Sequence, residues 1–441
     1  MLMKSLFLRL PTYLKGGKVM STLSNNKVEW NKYTKILKNN NKIILAQTQT
    51  GLWVRIEERF YELLNELIEI KELDKIKGEI ESINVAQNEK LYIKELIKKL
   101  WEINILTSSN EENYELEEVT FAITNSCNLN CKHCTASANE VFRGTLNLRD
   151  IYKIFDYFIA MNLKIVVITG GEPLIRKDFP EIISYLRKNF KGKIVIMTNG
   201  TLISKKMAKF LSENVDAFDI SLDGYDEKSV AFIRGEGTYQ KVIDGIKYLK
   251  SFGVEEIRVS MVNTRQNVHH NKEFKELCQD LGVKPVFRGF DRVGRGEKNY
   301  DIFNIERDLD FTLSRENEKE LRNLKKQINA KNYCKAGKNG FYVDEIGDIY
   351  PCSVLIYPAF KIGNVLEMED DFRKIKNYKD VMKKLETCVV DNVDKCKDCN
   401  VRYFCTKGCP GLDYHLFTNE EFRKERCEQM REYYQKLAWE V

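Results

Sequence analysis

The chain has 441 residues, with 71 Lys and Arg against 65 Asp and Glu, 12 cysteines and 4 histidines. A net charge of +6 spread over mixed-sign side chains argues against a nucleic-acid partner, and no uninterrupted apolar stretch of about 20 residues is present to cross a membrane. The opening MLMKSLFLRLPTYLKGGK is interrupted by Arg9 and Pro11 and leads to no small-residue cleavage site, so the chain is expected in the cytoplasm, where clustered cysteines hold metal rather than disulfides.

Residues 1–110 form an N-terminal α+β unit in this reading. Two short strands, 43–47 and 52–56, flank Thr50-Gly51, and helical periodicity follows over 57–70 and 88–104. Such a unit is either a cap on the core or, through an exposed strand edge, a surface that takes an extended peptide as an added strand. Residues 116–300 alternate strand and helix six times. Strands are expected at 119–124, 165–169, 193–198, 217–222, 256–262 and 283–288, with helices at 148–161, 180–189, 204–213, 239–252 and 272–281. Six βα repeats imply α/β architecture: a parallel sheet covered by helices on its outer face, an open or partial barrel with function at the carboxyl ends of its strands. A helical linker at 301–332 leads to a cysteine-rich segment, 333–441, which holds eight of the twelve cysteines and needs metal to supplement a small core.

Directly after the first barrel strand, Cys127, Cys131 and Cys134 form a C-x3-C-x2-C run. Three thiolates are one short of a closed zinc site, and His133 is badly placed to complete it beside Cys134. A cubane iron-sulfur cluster bound by three cysteines keeps one iron open for another ligand, whereas a zinc knuckle would need a remote fourth residue. Other strand ends supply a pocket. Gly170-Gly171-Glu172-Pro173 combines glycines that permit close backbone approach to a ligand with a carboxylate for an ammonium group. Ser221 and Asp223 offer a hydroxyl and a carboxylate, and Arg234 can pair with a carboxylate in a fork. Together they suit a zwitterionic amino acid joined to a nucleoside.

These residues resemble the radical S-adenosylmethionine superfamily: the three-cysteine run, GGEP at 170–173, TNG at 198–200 and SLDG at 221–224 follow the order of that family's partial (β/α)6 TIM-like barrel. The resemblance implies that Cys127, Cys131 and Cys134 hold a 4Fe-4S cluster whose open iron is chelated by S-adenosylmethionine. It further implies that Glu172 and the Gly170-Gly171 backbone hold the methionine ammonium, with Pro173 in the same cofactor-binding segment, that Ser221 and Arg234 hold its carboxylate, and that Asn199 and Asp223 are polar neighbours. His133 would stack beside the adenine, with Val259 and Met261 flanking it. The later cysteines resemble the SPASM extension, which implies two auxiliary 4Fe-4S clusters. Cys396, Cys399, Cys405 and Cys427 would close one; Cys334, Cys352 and Cys409 would hold the other, with Cys388 the nearest spare thiol. Spacing alone also suits two zinc ribbons. Cys278, in an apolar helical stripe with Leu277 and Leu281, reads as core.

The same resemblance bears on function. Proteins with the SPASM extension mostly act on peptides, and the N-terminal unit looks like the winged-helix-like peptide-recognition domain of peptide-modifying maturases, which implies capture of a precursor's leader segment. The loop Phe290-Asp291-Arg292-Val293-Gly294-Arg295-Gly296 is similar to that of thioether-forming maturases. The expected activity is a radical-made Cys thioether crosslink in a ribosomally synthesised peptide, with electrons from a flavodoxin- or ferredoxin-like donor. Formylglycine formation in a sulfatase, carbon-carbon crosslinking or epimerisation of a peptide, and a non-catalytic iron-sulfur peptide-binding scaffold are the competing readings.

Overall fold

A computed structural model describes residues 27–110, 115–140, 144–303, 318–331, 336–406, 409, 411 and 420–441. Its N-terminal unit opens with β1 (Glu29–Trp30), then an antiparallel sheet of β2 (Thr34–Asn39), β3 (Lys42–Gln47) and β4 (Leu52–Glu57). Helices α1 (Glu58–Glu69), α2 (Leu73–Ser82) and α3 (Gln87–Glu102) follow, and β5 (Leu106–Thr107) returns to pair with β1. Both faces of the sheet are covered. Alternation along β3 and β4 sends Ile43, Leu45, Val54 and Ile56 into a core with the three helices, and Ile44, Ala46 and Trp53 into a second core with the end of the chain. Strand β2 and helix α2 were not anticipated: β2 is half lysine and asparagine, and α2 buries only Ile76 and Ile80.

The barrel expectation is met. Strands β6 (Glu118–Ala122), β7 (Ile165–Thr169), β8 (Lys193–Thr198), β9 (Ala217–Ser221), β10 (Ile257–Val262) and β11 (Lys284–Arg288) pair in parallel and in sequential order. Between them run α4 (Leu148–Ala160), α5 (Phe179–Asn189), α6 (Lys205–Asn214), α7 (Glu227–Arg234), α8 (Thr238–Ser251) and α9 (Asn271–Asp280). Helix α4 shows why these segments are helical: the Asn147 side chain caps it by accepting the Asp150 N–H, and Ile151, Ile154, Phe155 and Phe158 recur on one buried face. Helix α7 is the one helix between barrel strands that sequence periodicity did not flag; Asp226 and Ser229 form its capping box.

The sheet does not stop at β6. After α10 (Arg295–Lys298), α11 (Tyr300–Phe303) and α12 (Glu318–Lys325), β12 (Gly340–Val343) adds in parallel beside β6, and β13 (Asp348–Tyr350) and β14 (Gly363–Asn364) follow antiparallel, giving nine strands. Among the described residues the later helices include α13 (Lys376–Thr387), α14 (Arg402–Cys405) and α15 (Glu420–Gln435), which runs into a π-turn at Lys436–Glu440. Among the described residues no helix is long and apolar enough to cross a membrane.

Trp53 joins the N-terminal sheet to this last segment. Its ring meets Phe404 edge-on at 5.1 Å, and its indole N–H donates to the Ile328 carbonyl at 3.2 Å. Trp53→Ala should therefore lower stability by about 3–5 kcal/mol, the usual cost of emptying a buried aromatic site. Guanidinium melts followed by circular dichroism check this, and an unshifted midpoint would contradict the shared core.

Candidate functional site

The loop after β6 carries Cys127, Cys131 and Cys134, and its backbone is pinned before any ligand is considered. Asn139 clamps Cys127 from both sides, accepting its N–H at 2.9 Å and donating to its carbonyl at 2.8 Å. Arg295 is buried beneath the loop. It donates from Nε to the Cys131 carbonyl at 2.9 Å and from Nη1 to the Ala138 carbonyl at 2.7 Å, while its backbone N–H donates to the Cys134 carbonyl at 2.9 Å. Gly294 makes that approach possible: its φ is +62°, and a Cβ there would stand 2.5 Å from the Thr135 carbonyl oxygen.

The sulfurs are surrounded by donors. Cys127 Sγ accepts from the Leu129 N–H at 3.4 Å and the Asn199 side-chain amide at 3.8 Å, and Cys131 Sγ accepts from Arg234 Nη1 at 3.8 Å. Burial pushes both thiols up, and Arg234 works in the opposite direction on Cys131. A thiolate here therefore requires positive charge beside it. Each of the three sulfurs lies within electrostatic reach of the others. Among the described residues no three His, Cys, Asp or Glu side chains converge as ligands of one ion; a cubane takes one thiolate per iron, so its cysteines stand at separate corners. Three clustered thiols, N–H donors aimed at two of them and one guanidinium fit such a cluster.

The two glycines at 170 and 171 bring backbone against backbone. Gly171 N–H donates to the Thr124 carbonyl and Glu172 N–H to the Ser126 carbonyl, both at 2.8 Å, and a Cβ on Gly170 or Gly171 would lie 2.2 Å or 2.4 Å from those same oxygens. The GGEP segment is thus locked onto the start of the cysteine loop. Glu172 extends the lock to the third strand end. Its Oε1 accepts from the Leu174 N–H at 3.0 Å and the Thr198 hydroxyl at 2.8 Å, and its Oε2 from the Asn199 N–H at 2.7 Å. Full burial nonetheless raises its pKa to about 7. Pro173 begins a short 3-10 turn behind it. Only Oε2 retains an uncommitted lone pair, so the expected contact with an ammonium group depends on that atom.

Asp223 is the other buried carboxylate. Its Oδ2 lies 2.6 Å from both His133 Nε2 and Arg234 Nη2, and its Oδ1 accepts the Val262 N–H at 2.6 Å. Burial opposes its charge, yet Arg234 and His133 hold it well below the usual carboxylate range. Arg234 is raised in turn, since Asp223 and the Cys131 sulfur outweigh its own desolvation. Arg234, expected on a ligand carboxylate, is thus already divided between Asp223 and Cys131; its Nε is buried and unpartnered. His133 lies 6.3 Å from the Phe303 ring, tilted by 53°.

Strand parity corrects one expectation. Val259 and Met261 point outward into the helix layer, fully buried with Phe218, Ile220 and Phe274, and do not face the barrel interior. Val259 pairs in register with Ile220, whereas the neighbouring Ser260 pairs with Ser221. Side chains alternate across a strand, so it is Arg258, Ser260 and Val262 that line the inside.

Of the C-terminal cysteines, Cys334 lies outside the described residues. Cys352 follows β13, Cys396 and Cys399 form a tight turn with a 2.9 Å backbone hydrogen bond, Cys405 ends α14, and Cys427 is exposed on α15, which packs against α14. A concavity between that turn and α15 is lined by Asp398, Cys399, Glu428 and Arg431. Cys409 is half-buried; Cys388 caps α13 with its thiol 3.7 Å from the Lys384 carbonyl. Cys278 is buried core, its thiol pushed up to about 12. Sequence reasoning missed the residues that hold the loop. Asn139 gave no signal, and Arg295, named only as part of the 290–296 loop, is its main support.

Residues 121–280 match the model of the radical SAM superfamily, and residues 334–400 match that of an iron-sulfur cluster-binding domain, SPASM. The mycofactocin maturase of Mycobacterium ulcerans is 30% identical over 264 residues, 56% of this chain and 71% of that protein. The subtilosin biosynthesis protein AlbA of Bacillus subtilis is 27% identical over 309 residues, 67% of this chain and 66% of that protein. In fold the chain is similar to Streptococcus suis SuiB, solved with S-adenosylmethionine (20% identity, TM-score 0.52) and with its precursor peptide SuiA (18% identity, TM-score 0.52), each covering 89% of this chain and 97% of the other.

A methyl group at Gly171 has no room against the Ser126 carbonyl. Gly171→Ala should displace the GGEP segment and the adjoining cysteine loop, and reduce the iron retained after anaerobic reconstitution by about one cubane, or roughly four irons per chain. Iron analysis beside the wild type measures this; full iron content would show that the contact is dispensable.

Proposed function

Because the chain belongs to the radical S-adenosylmethionine superfamily and carries its SPASM extension, it is an enzyme that uses S-adenosylmethionine and iron-sulfur clusters, and we propose that it is a peptide maturase that installs a Cys thioether crosslink. When bound, the cluster and S-adenosylmethionine supply a 5′-deoxyadenosyl radical that abstracts hydrogen from carbon. The chain's own part is positioning. Cys127, Cys131 and Cys134 would hold the cluster, Glu172 Oε2 would receive the methionine ammonium, Ser221 and Arg234 would face its carboxylate, and the His133 ring would lie on the adenine side. The auxiliary clusters fall to Cys396, Cys399, Cys405 and Cys427, and to Cys334, Cys352 and Cys409.

One observation supports a peptide substrate above others. Among the described residues strand β2 is an edge of the N-terminal sheet, and Ile36 on it is 42% exposed, an apolar side chain on a strand edge that an extended leader segment would cover. Mycofactocin maturase and AlbA, named for the products they help make, support the same class. A flavodoxin- or ferredoxin-like protein would deliver electrons.

Thioether closure removes one hydrogen atom from carbon, one proton from the thiol and one electron, for which an auxiliary cluster held by the C-terminal cysteines would be the acceptor. High-resolution mass spectrometry of cysteine-containing precursor peptides incubated with reduced holoenzyme should show a loss of two hydrogens per link, abolished by prior thiol alkylation. An unchanged mass with inverted stereochemistry would mean epimerisation instead. The ammonium contact predicts a pH dependence with a definite sign. Glu172 titrates near pH 7 and must be ionised to pair with an ammonium, so S-adenosylmethionine affinity should be maximal above pH 7 and fall toward tenfold per unit below it. Calorimetric titration across pH 6–8 measures this, and Glu172→Gln should flatten the profile.

A further inference from the structure

Deeper in the barrel than the residues proposed for S-adenosylmethionine lies a charged group they leave unused. Asp219 of β9 stands two residues before Ser221 on the same inner face, about 6.6 Å further down the strand. It pairs in register with Arg258 of β10, and its Oδ2 forms an ion pair with Arg288 of β11. Below it Val167, Val195 and Ala217 close the lumen with an apolar floor. Two polar atoms here are buried and unpartnered: Oδ1 of Asp219, an acceptor, and Nε of Arg258, a donor. Arg258 makes no hydrogen bond or ion pair among the described residues.

Arg288 is 42% exposed and is shared between Asp219 and the nearby Asp291, so the uncompensated charge here is the Arg258 guanidinium, whose Nε is buried, and such a group favours an anionic guest. The unpaired Asp219 oxygen adds a second requirement, since a buried acceptor needs a donor. A bare inorganic anion satisfies Arg258 but offers Asp219 nothing. A peptide carboxylate with an amide N–H beside it satisfies both.

We propose that Asp219, Arg258 and Arg288 form a substrate subsite that takes a carboxylate of the peptide, with Arg258 binding the carboxylate and Asp219 the adjacent amide N–H. The inference rests on the peptide-maturase reading and names what that peptide carries near the reacting carbon. The carboxylate belongs either to an acidic side chain or to the chain terminus. These are specificity-determining residues; the radical chemistry does not pass through them.

The test uses reconstituted holoenzyme with S-adenosylmethionine and three small probes followed by ligand-observed NMR titration: N-acetylglutamate α-amide, N-acetylglutamine, and N-acetylglutamine α-amide. A carboxylate-bearing probe should bind at least tenfold more tightly than the neutral diamide. Preference for the first identifies a side-chain carboxylate, and preference for the second a chain terminus. Arg258→Met should erase the preference, and Arg258→Lys, which keeps the charge, should retain part of it. Equal binding of all three probes, binding of none, or an undiminished preference in Arg258→Met overturns the proposal. The underlying reading is separable: wild-type holoenzyme that releases no 5′-deoxyadenosine defeats that reading irrespective of the probes.

Discussion

The centre of this molecule is held by a buried carboxylate in an unfavourable backbone conformation. Asp223 has φ of +67° and no exposure, and from that position it reaches His133 in the cysteine loop, Arg234 at the end of α7 and the Val262 amide leaving β10. Asn267 donates to its carbonyl at 3.1 Å, so backbone and side chain are both committed. Removing one member of such a group would strand the others as uncompensated buried charge, typically at about 3–5 kcal/mol. The arrangement has a chemical consequence as well as a structural one. Arg234, neutralised on one side by Asp223, presents its other nitrogen to the Cys131 sulfur, where it favours the thiolate that metal binding requires.

The rest of the mouth is organised in the same manner, by contacts among the strand ends themselves. Gly170 and Gly171 are small so that the second strand end can lie on the backbone of the first, and Glu172 then fastens both to the third through Thr198 and Asn199. Arg295 supports the cysteine loop from the sixth strand's exit. A reactive centre needs its groups held within a fraction of an ångström by a rigid frame. Here the motif residues build much of that frame with one another, and the groups with capacity left over, such as Glu172 Oε2, are few.

The regular half of the fold was legible because its signals are local. Apolar strands of five or six residues bounded by Gly, Asn and Asp gave the barrel to within a residue or two at most ends. What was missed had no local signature. Helix α7 has only eight residues and follows a turn with no apolar run, and the pairing of β12 with β6 joins residues more than 200 apart. Val259 and Met261 failed on parity: a one-residue difference decides which face of a strand a side chain occupies, and their apolar character suited the helix layer better than a ligand. The cysteines were legible as a cluster loop from spacing. The Asn139 clamp and the Arg295 support were not, because each is a side chain binding backbone remote in sequence.

The N-terminal unit is not an appended bead. One face of its sheet shares a core with the segment that carries Cys396, Cys399 and Cys405, and Arg55 reaches the Ala438 carbonyl at 2.8 Å. Peptide capture, as proposed, would therefore take place on a surface fixed to the auxiliary-cluster segment. All of this depends on the three-cysteine loop being a site of radical generation. Release of 5′-deoxyadenosine from chemically reduced holoenzyme tests that most directly. Steady release by the wild type and none by the variant with Cys127, Cys131 and Cys134 replaced by alanine is the expected result, and undiminished release by that variant would contradict the account.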